Sequence, residues 1–262
     1  ADNNTAIGHY ALEENTTGTN NSAVGANTLD AVTTGSSNSG FGQGAGGAVT
    51  EGDSNTFIGK DAGQSTTTGS FNTGIGSNAL RDYTTGSNGV AVGINAAITA
   101  TGSNIVAIGA NTLRGGSNNT GSDNVAVGTG ALRNSSTGTQ NTALGKDALY
   151  ANTTGTRNTA VGTLTLDANT TANDNTAIGH AALGNNTTGT QNVAVGRGAS
   201  AYNTTADFNT AVGFYALLNA TTGFSNTAIG YTSQQNCTEG NNNTSLGRET
   251  LFTNTLGDRN VA

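Results

Sequence analysis

The sequence predicts an all-β chain, a parallel β-solenoid of about fifteen 17-residue turns. Three observations point there. A motif of the form Asn-Thr-Ala-(Ile/Val)-Gly returns with its last glycine at Gly8, Gly25, Gly42, Gly59, Gly76, Gly93, Gly109, Gly128, Gly145, Gly162, Gly179, Gly196, Gly213, Gly230 and Gly247. The interval is 17 residues throughout, except for 16 and then 19 on the two sides of Gly109. With 40 glycines, no proline, 33% hydrophobic and only 5% aromatic residues, the chain cannot fill one large globular core, and a thin, elongated one is expected. A unit this short cannot bury its own apolar face, so successive units must stack, each strand pairing in parallel with its copy one unit on.

Numbered from its asparagine, the unit reads N-T-A-(I/V)-G-x-x-A-L-x-x-N-T-T-G-x-x. Positions 2 to 4 form a strand, because position 2 is mostly Thr or Val and position 4 is apolar in every turn, from Ile7 to Leu246. The Ala-Leu segment at positions 8 and 9 reads as a second short strand. A helix there would have only about nine residues between Gly8 and Gly18, too few to be stable. Asn at position 1, present in thirteen of the fifteen turns, is expected to stack as an amide ladder. Gly at position 15, as in Gly18 and Gly189, is expected to supply a positive φ in a tight turn. The long interval places the insertion Gly115–Asp123 in a loop, with the ladder continuing past it. The chain therefore reads as a single repeat domain, 1–262, with fifteen rungs uncapped at both ends, cut from a longer fibre.

Along the strand, positions 2 and 4 point one way and positions 3 and 5 the other, and neither side carries charge. A strand apolar or small on both faces is buried on both. One face should line the solenoid's own core and the other should press on a second copy, which predicts a homo-oligomer; spacing alone does not say which face is which. With position 4 inward, Ile178→Asp would bury a charge. Volume offers a check on register: position 3 departs from Ala or Ser only at Gly40, Phe57 and Gly74, which are consecutive. Phe57 is expected to spread over both glycines, with positions 4 and 9 facing one another across the core.

Runs such as Asn158-Thr-Ala-Val-Gly162 and Asn175-Thr-Ala-Ile-Gly179 resemble the head repeats of trimeric autotransporter adhesins. They are also similar to repeat regions of phage tail fibres and bacterial surface fibres. The resemblance covers the whole chain and implies a left-handed parallel β-roll, three chains around one axis, and a role in attachment.

The remaining residues narrow the function. Nine Lys and Arg against sixteen Asp and Glu give a net charge of -7, which lacks the basic footprint that nucleic acid requires. No apolar stretch approaches the roughly 20 residues that span a bilayer, so this segment is not expected to insert into a membrane. The single cysteine, Cys237, reads as a small residue in a turn. No Cys/His spacing or calcium-binding repeat suggests a metal or cofactor. Catalysis is not expected either: His9 and His180 share a column ten turns apart, and the carboxylate cluster Glu51 and Asp53 sits in a Gly-bounded turn.

The natural contact edge is position 6, just after the motif glycine, which holds four of the nine basic residues. His9, Lys60, Lys146, His180, Arg197, Phe214, Tyr231 and Arg248 form the candidate surface-binding stripe, suited to anionic glycans. The sequence pairs Lys60-Asp61, Lys146-Asp147 and Arg248-Glu249 favour a solvated edge instead, since each neutralises a cation. The expected function is a non-enzymatic structural and adhesive extracellular fibre segment, on a bacterial adhesin or a phage tail fibre. Its partners would be further copies of itself, as a homotrimer, and surface glycans or a host receptor. An ice-binding β-solenoid is the alternative, drawn from the Thr-Thr columns, although adjacent threonines in a strand point to opposite sides and these lie in a turn.

Overall fold

A computed structural model of the protein describes residues 1–116 and 119–262. The chain divides into two compact units, residues 1–130 with 135–137 and residues 131–134 with 138–262. Among the described residues there are fifteen strands of three residues each and no helix. The first unit holds β1 (Thr5–Ile7), β2 (Ser22–Val24), β3 (Ser39–Phe41), β4 (Thr56–Ile58), β5 (Thr73–Ile75), β6 (Val90–Val92), β7 (Val106–Ile108) and β8 (Val125–Val127). The second holds β9 (Thr142–Leu144), β10 (Thr159–Val161), β11 (Thr176–Ile178), β12 (Val193–Val195), β13 (Thr210–Val212), β14 (Thr227–Ile229) and β15 (Thr244–Leu246).

Within each unit every strand pairs in parallel with the next in sequence, in the register the repeat demands: Thr159 lies opposite Thr176, and Ala160 opposite Ala177. The pairing runs unbroken through the irregular spacing, from Val90 to Val106 and from Val106 to Val125. Of the insertion expected to loop out there, Ser117 and Asn118 lie outside the described residues.

The face left open by the sequence is settled by burial. Position 3 points inward: Ala160, Ala177, Ala194 and Ala211 are fully buried, whereas Ile178 at position 4 is 41% exposed. The core is thin because three small or medium columns meet in it, Ala at position 3, Ala at position 8 and Leu at position 9, as in Ala177, Ala182 and Leu183. A larger residue at position 3 would have no room against the facing leucine. Within the chain, then, Ile178→Asp would place a charge on an outward face, contrary to the effect expected with position 4 inside.

The segment after the motif glycine is neither helix nor a second strand. Positions 7 and 9 have positive φ in every rung, for example Asn27 (52°) with Leu29 (49°) and Ala181 (54°) with Leu183 (49°). Left-handed leucine costs roughly 1–2 kcal/mol, but the alternation turns the backbone groups along the stacking direction. Leu29 N donates to Ala45 O at 3.0 Å in the following rung, and Asn27 N to His9 O at 2.9 Å in the preceding one. Each rung thereby keeps its backbone paired without being extended.

Two glycine columns work differently from expectation. The motif glycine at position 5 is the one with positive φ, +134° at Gly8 and +129° at Gly179. The glycines at position 15 lack positive φ; they are small because the next rung approaches closely, so that a Cβ on Gly35 would stand 2.5 Å from Gly52 O. The asparagine ladder is present, and fully buried in the interior rungs. Asn175 Nδ2 donates to Gly189 O at 2.9 Å and its Oδ1 accepts the backbone N–H of Asn192 at 2.9 Å, so the ladder ties to backbone as well as to the amides of Asn158 and Asn192. A second ladder runs through position 12, where Asn169 Nδ2 donates to Asn152 Oδ1 at 2.8 Å. Cys237 occupies that same buried column, its thiol against Gly240 O at 3.5 Å, and burial pushes its pKa up.

The first unit carries two irregularities that compensate one another in volume. Phe57 is fully buried and lies against Gly74, where an added Cβ would stand 3.1 Å from its ring. At Gly40, which pairs with Phe57 in register, the atoms nearest an added Cβ belong to Thr28, Leu29 and Ala45 rather than to the Phe57 ring. Phe57 instead fills the space vacated by leucine at Gly46 and Gly63. Positions 3 and 9 therefore share the core volume, rather than positions 4 and 9. Tyr83 is also fully buried, in the position-12 column, with its ring over Gly86 and Gly89. Gly89 is where the asparagine of position 1 is missing, and the phenol replaces its bonding with a 3.3 Å contact to Ser87 O.

Candidate functional site

Every member of the position-6 stripe is exposed, as the edge following a buried strand residue should be. Its members differ in what surrounds them. In the first unit His9 touches its own neighbour Tyr10, the rings 3.7 Å apart and tilted by 51°, and Lys60 pairs with Asp61 at 3.8 Å. In the second unit Lys146 pairs with Asp147 at 3.9 Å and Arg248 with Glu249 at 3.1 Å. Such exposed pairs contribute little to stability. Arg197 is followed by Gly198 and has no ion pair among the described residues.

Four consecutive rungs of the second unit bring stripe residues together. Phe214 and Tyr231 stack with centroids 5.5 Å apart and planes 7° from parallel. The Arg197 guanidinium lies 5.8 Å from the Phe214 ring on one side, and that of Arg248 lies 5.3 Å from Tyr231 on the other. Cation–π attraction holds these long side chains in place over the rings. Tyr215, at position 7, extends the cluster: its ring is 4.0 Å from Phe214, tilted by 52°, and 5.9 Å from the Arg197 guanidinium.

Beside this stack lies a notch of about 170 Å³, walled by His180, Arg197, Tyr202 and Tyr215 and floored by Gly198 and Ala201. Its cause is a step in side-chain size. Positions 7 and 10 of one rung are Gly198 and Ala201, while the same positions of the next are Tyr215 and Leu218. The Tyr215 ring leans over Gly198 into the space a Cβ would occupy. Among the described residues, no carboxylate lines it.

The same step occurs in the first unit with other chemistry. Gly44 and Gly47 occupy positions 7 and 10 there and open a cleft of about 510 Å³, lined by Asn27, Asp30, Gln43, Asp61 and Gln64. Burial pushes the Asp30 carboxyl above the ordinary aspartate value, and its buried Oδ1 has no hydrogen-bond partner. A third depression, in the second unit, contains Asp147 and Asp167 beside Arg133, which donates to the Tyr150 hydroxyl at 2.9 Å. The Asp167 carboxyl is likewise pushed up, by burial first and by the Asp147 charge to a smaller extent.

Tyr202, Tyr215 and the notch escaped the sequence reading, although stacking the units in register places Gly198 and Ala201 directly beside Tyr215 and Leu218. At position 13 the turn threonine hydroxyl is committed to the next rung, as in Thr170 Oγ1 to Thr187 O at 3.1 Å. No helix is long and apolar enough to cross a membrane among the described residues, and no group of three His, Cys, Asp or Glu there could hold a metal ion. No protein-family model, curated protein or solved structure matches the chain.

Proposed function

We propose that the chain is a non-enzymatic structural and adhesive segment of an extracellular fibre, on a bacterial surface or a phage tail, in which three copies pack through their strand faces. The observation that carries this is the outward strand face. Across fifteen rungs, positions 2 and 4 never hold a charged residue, although position 6 on the neighbouring edge does. Large aliphatic side chains stand in the open there, Ile58 and Ile75 in the first unit and Leu144 and Ile178 in the second. An uncharged apolar column repeated this regularly is what a surface covered by a partner requires, and a repeat chain's most available partner is another copy. The surface stripe and its notch then remain for ligands.

The test is oligomeric state. Light scattering on a dilute folded sample should give a trimer, and Ile178→Asp combined with Val212→Asp should convert it to a folded monomer with its strand-type circular dichroism intact. A wild-type monomer would overturn the reading. Ice binding is the second reading, favoured by the rank of threonines at position 2, Thr142, Thr159 and Thr176, standing beside those aliphatic residues on the same face. Thermal hysteresis from a monomeric wild-type chain would select it.

A further inference from the structure

We propose that the notch over Gly198 and Ala201 binds a single carboxylate-bearing sugar residue, with Arg197 holding the carboxylate and Tyr202 and Tyr215 flanking the ring. The inference names the ligand class of the adhesive stripe and so rests on that part of the proposed function. Arg197 carries it. Of the four cations at position 6, Lys60, Lys146 and Arg248 are each neutralised by the residue that follows, and Arg197 alone is followed by glycine. A guanidinium with no anionic partner among the described residues, in a chain of net charge -7, is free to take an external carboxylate through two parallel hydrogen bonds. Its contacts with Phe214 and Tyr215 hold it in position beforehand, which lowers the entropy lost on binding.

The rest of the notch selects among anions. Two tyrosines at its edge, Tyr202 being 52% exposed, offer apolar ring surface with a hydroxyl at the tip, suited to the mixed C–H and O–H surface of a sugar. His180 adds ring nitrogens at the rim. The volume of about 170 Å³ takes one ring rather than a length of polymer. Nucleic acid would need several phosphates neutralised together, and the notch offers one guanidinium. A neutral sugar would leave that guanidinium unused.

The experiment is a chemical-shift titration of the intact chain with digalacturonate, 3′-sialyllactose, lactose and a tetraglutamate peptide. Expected is saturable binding of one or both acidic saccharides, with lactose and the peptide at least about ten-fold weaker. Arg197→Gln should weaken the bound saccharide by about ten-fold or more, as loss of a charge-assisted bond does. Ala201→Gln should do the same by filling the notch, while Arg259→Gln, an exposed cation outside the stripe, should leave affinity unchanged. The two saccharides distinguish a uronate from a sialic acid as the source of the carboxylate. Absence of binding to both, equal binding of lactose or the peptide, or indifference to both Arg197→Gln and Ala201→Gln would overturn the proposal. Oligomeric state reads the strand face and not the notch, so a trimer that binds no acidic sugar defeats this inference and leaves the fibre reading standing.

Discussion

The cleft over Gly44 and Gly47 and the notch over Gly198 and Ala201 occupy equivalent places in two rungs of one repeat. Residue for residue, Gln43 corresponds to Arg197, Asp61 to Tyr215 and Gln64 to Leu218. Two small residues at positions 7 and 10 open the space in both. What fills its rim then decides the chemistry, amides and carboxylates in the first unit, a guanidinium and phenols in the second. The backbone therefore supplies a generic recess, and three or four exposed side chains convert it into sites of opposite electrostatic sign.

The two regions also differ underneath. Beneath the first cleft the core is irregular, with Phe57 filling the space over Gly46 and Gly63; beneath the notch of the second unit the corresponding positions hold the buried Ser200 and Leu217. Phe57→Ala should break the first region hardest, costing about 3–5 kcal/mol in urea or thermal unfolding, because Gly46 and Gly63 have no side chain that could move into the void. Gly74→Val sharpens the same point in the opposite sense. Its side chain would press on the Phe57 ring, and about 1–3 kcal/mol of overpacking is expected, relieved when combined with Phe57→Leu. Additive behaviour of the two substitutions would show that Phe57 does not share volume with Gly74.

The smallest effect concerns Asp30. Burial raises its pKa in the folded state, so the fold favours the protonated acid and is penalised once the carboxylate ionises. Asp30→Asn should therefore raise the urea midpoint slightly at neutral pH, and the gain should fade as pH falls through the raised pKa and be gone once it is below the ordinary aspartate value. Asp167→Asn should behave the same way in the second unit. A gain that persists in acid would assign the effect to something other than the charge.

Much of this architecture was legible in the residues alone. The 17-residue spacing predicted the strand register pair by pair, and the asparagine column predicted an amide ladder. Three things were not legible, each for a physical reason. Hydrophobicity places Ile178 inside and Ala177 outside, but the core between the strand and the facing leucine is too thin for a β-branched residue, and the order is reversed. Nothing in the residue type announces that Leu183 adopts a left-handed conformation, since the compensating bonds come from the neighbouring rung. The notch is a relation between residues 17 apart, Gly198 beside Tyr215, and no single unit contains it.

The bonding of the turn segment has one more consequence. In each interior rung some N–H groups reach backward, as from Ala181 to Thr163 O, and others forward, as from Leu183 to Ala199 O. Every rung thus offers the same donors and acceptors to whichever copy precedes or follows it. Removing or duplicating a whole unit leaves two matching surfaces, which makes molecular length a freely variable trait: recombination between near-identical gene segments can lengthen or shorten the array without a new interface having to evolve. A recess such as that over Gly198, which needs two particular rungs in succession, is inherited only when the cut falls elsewhere.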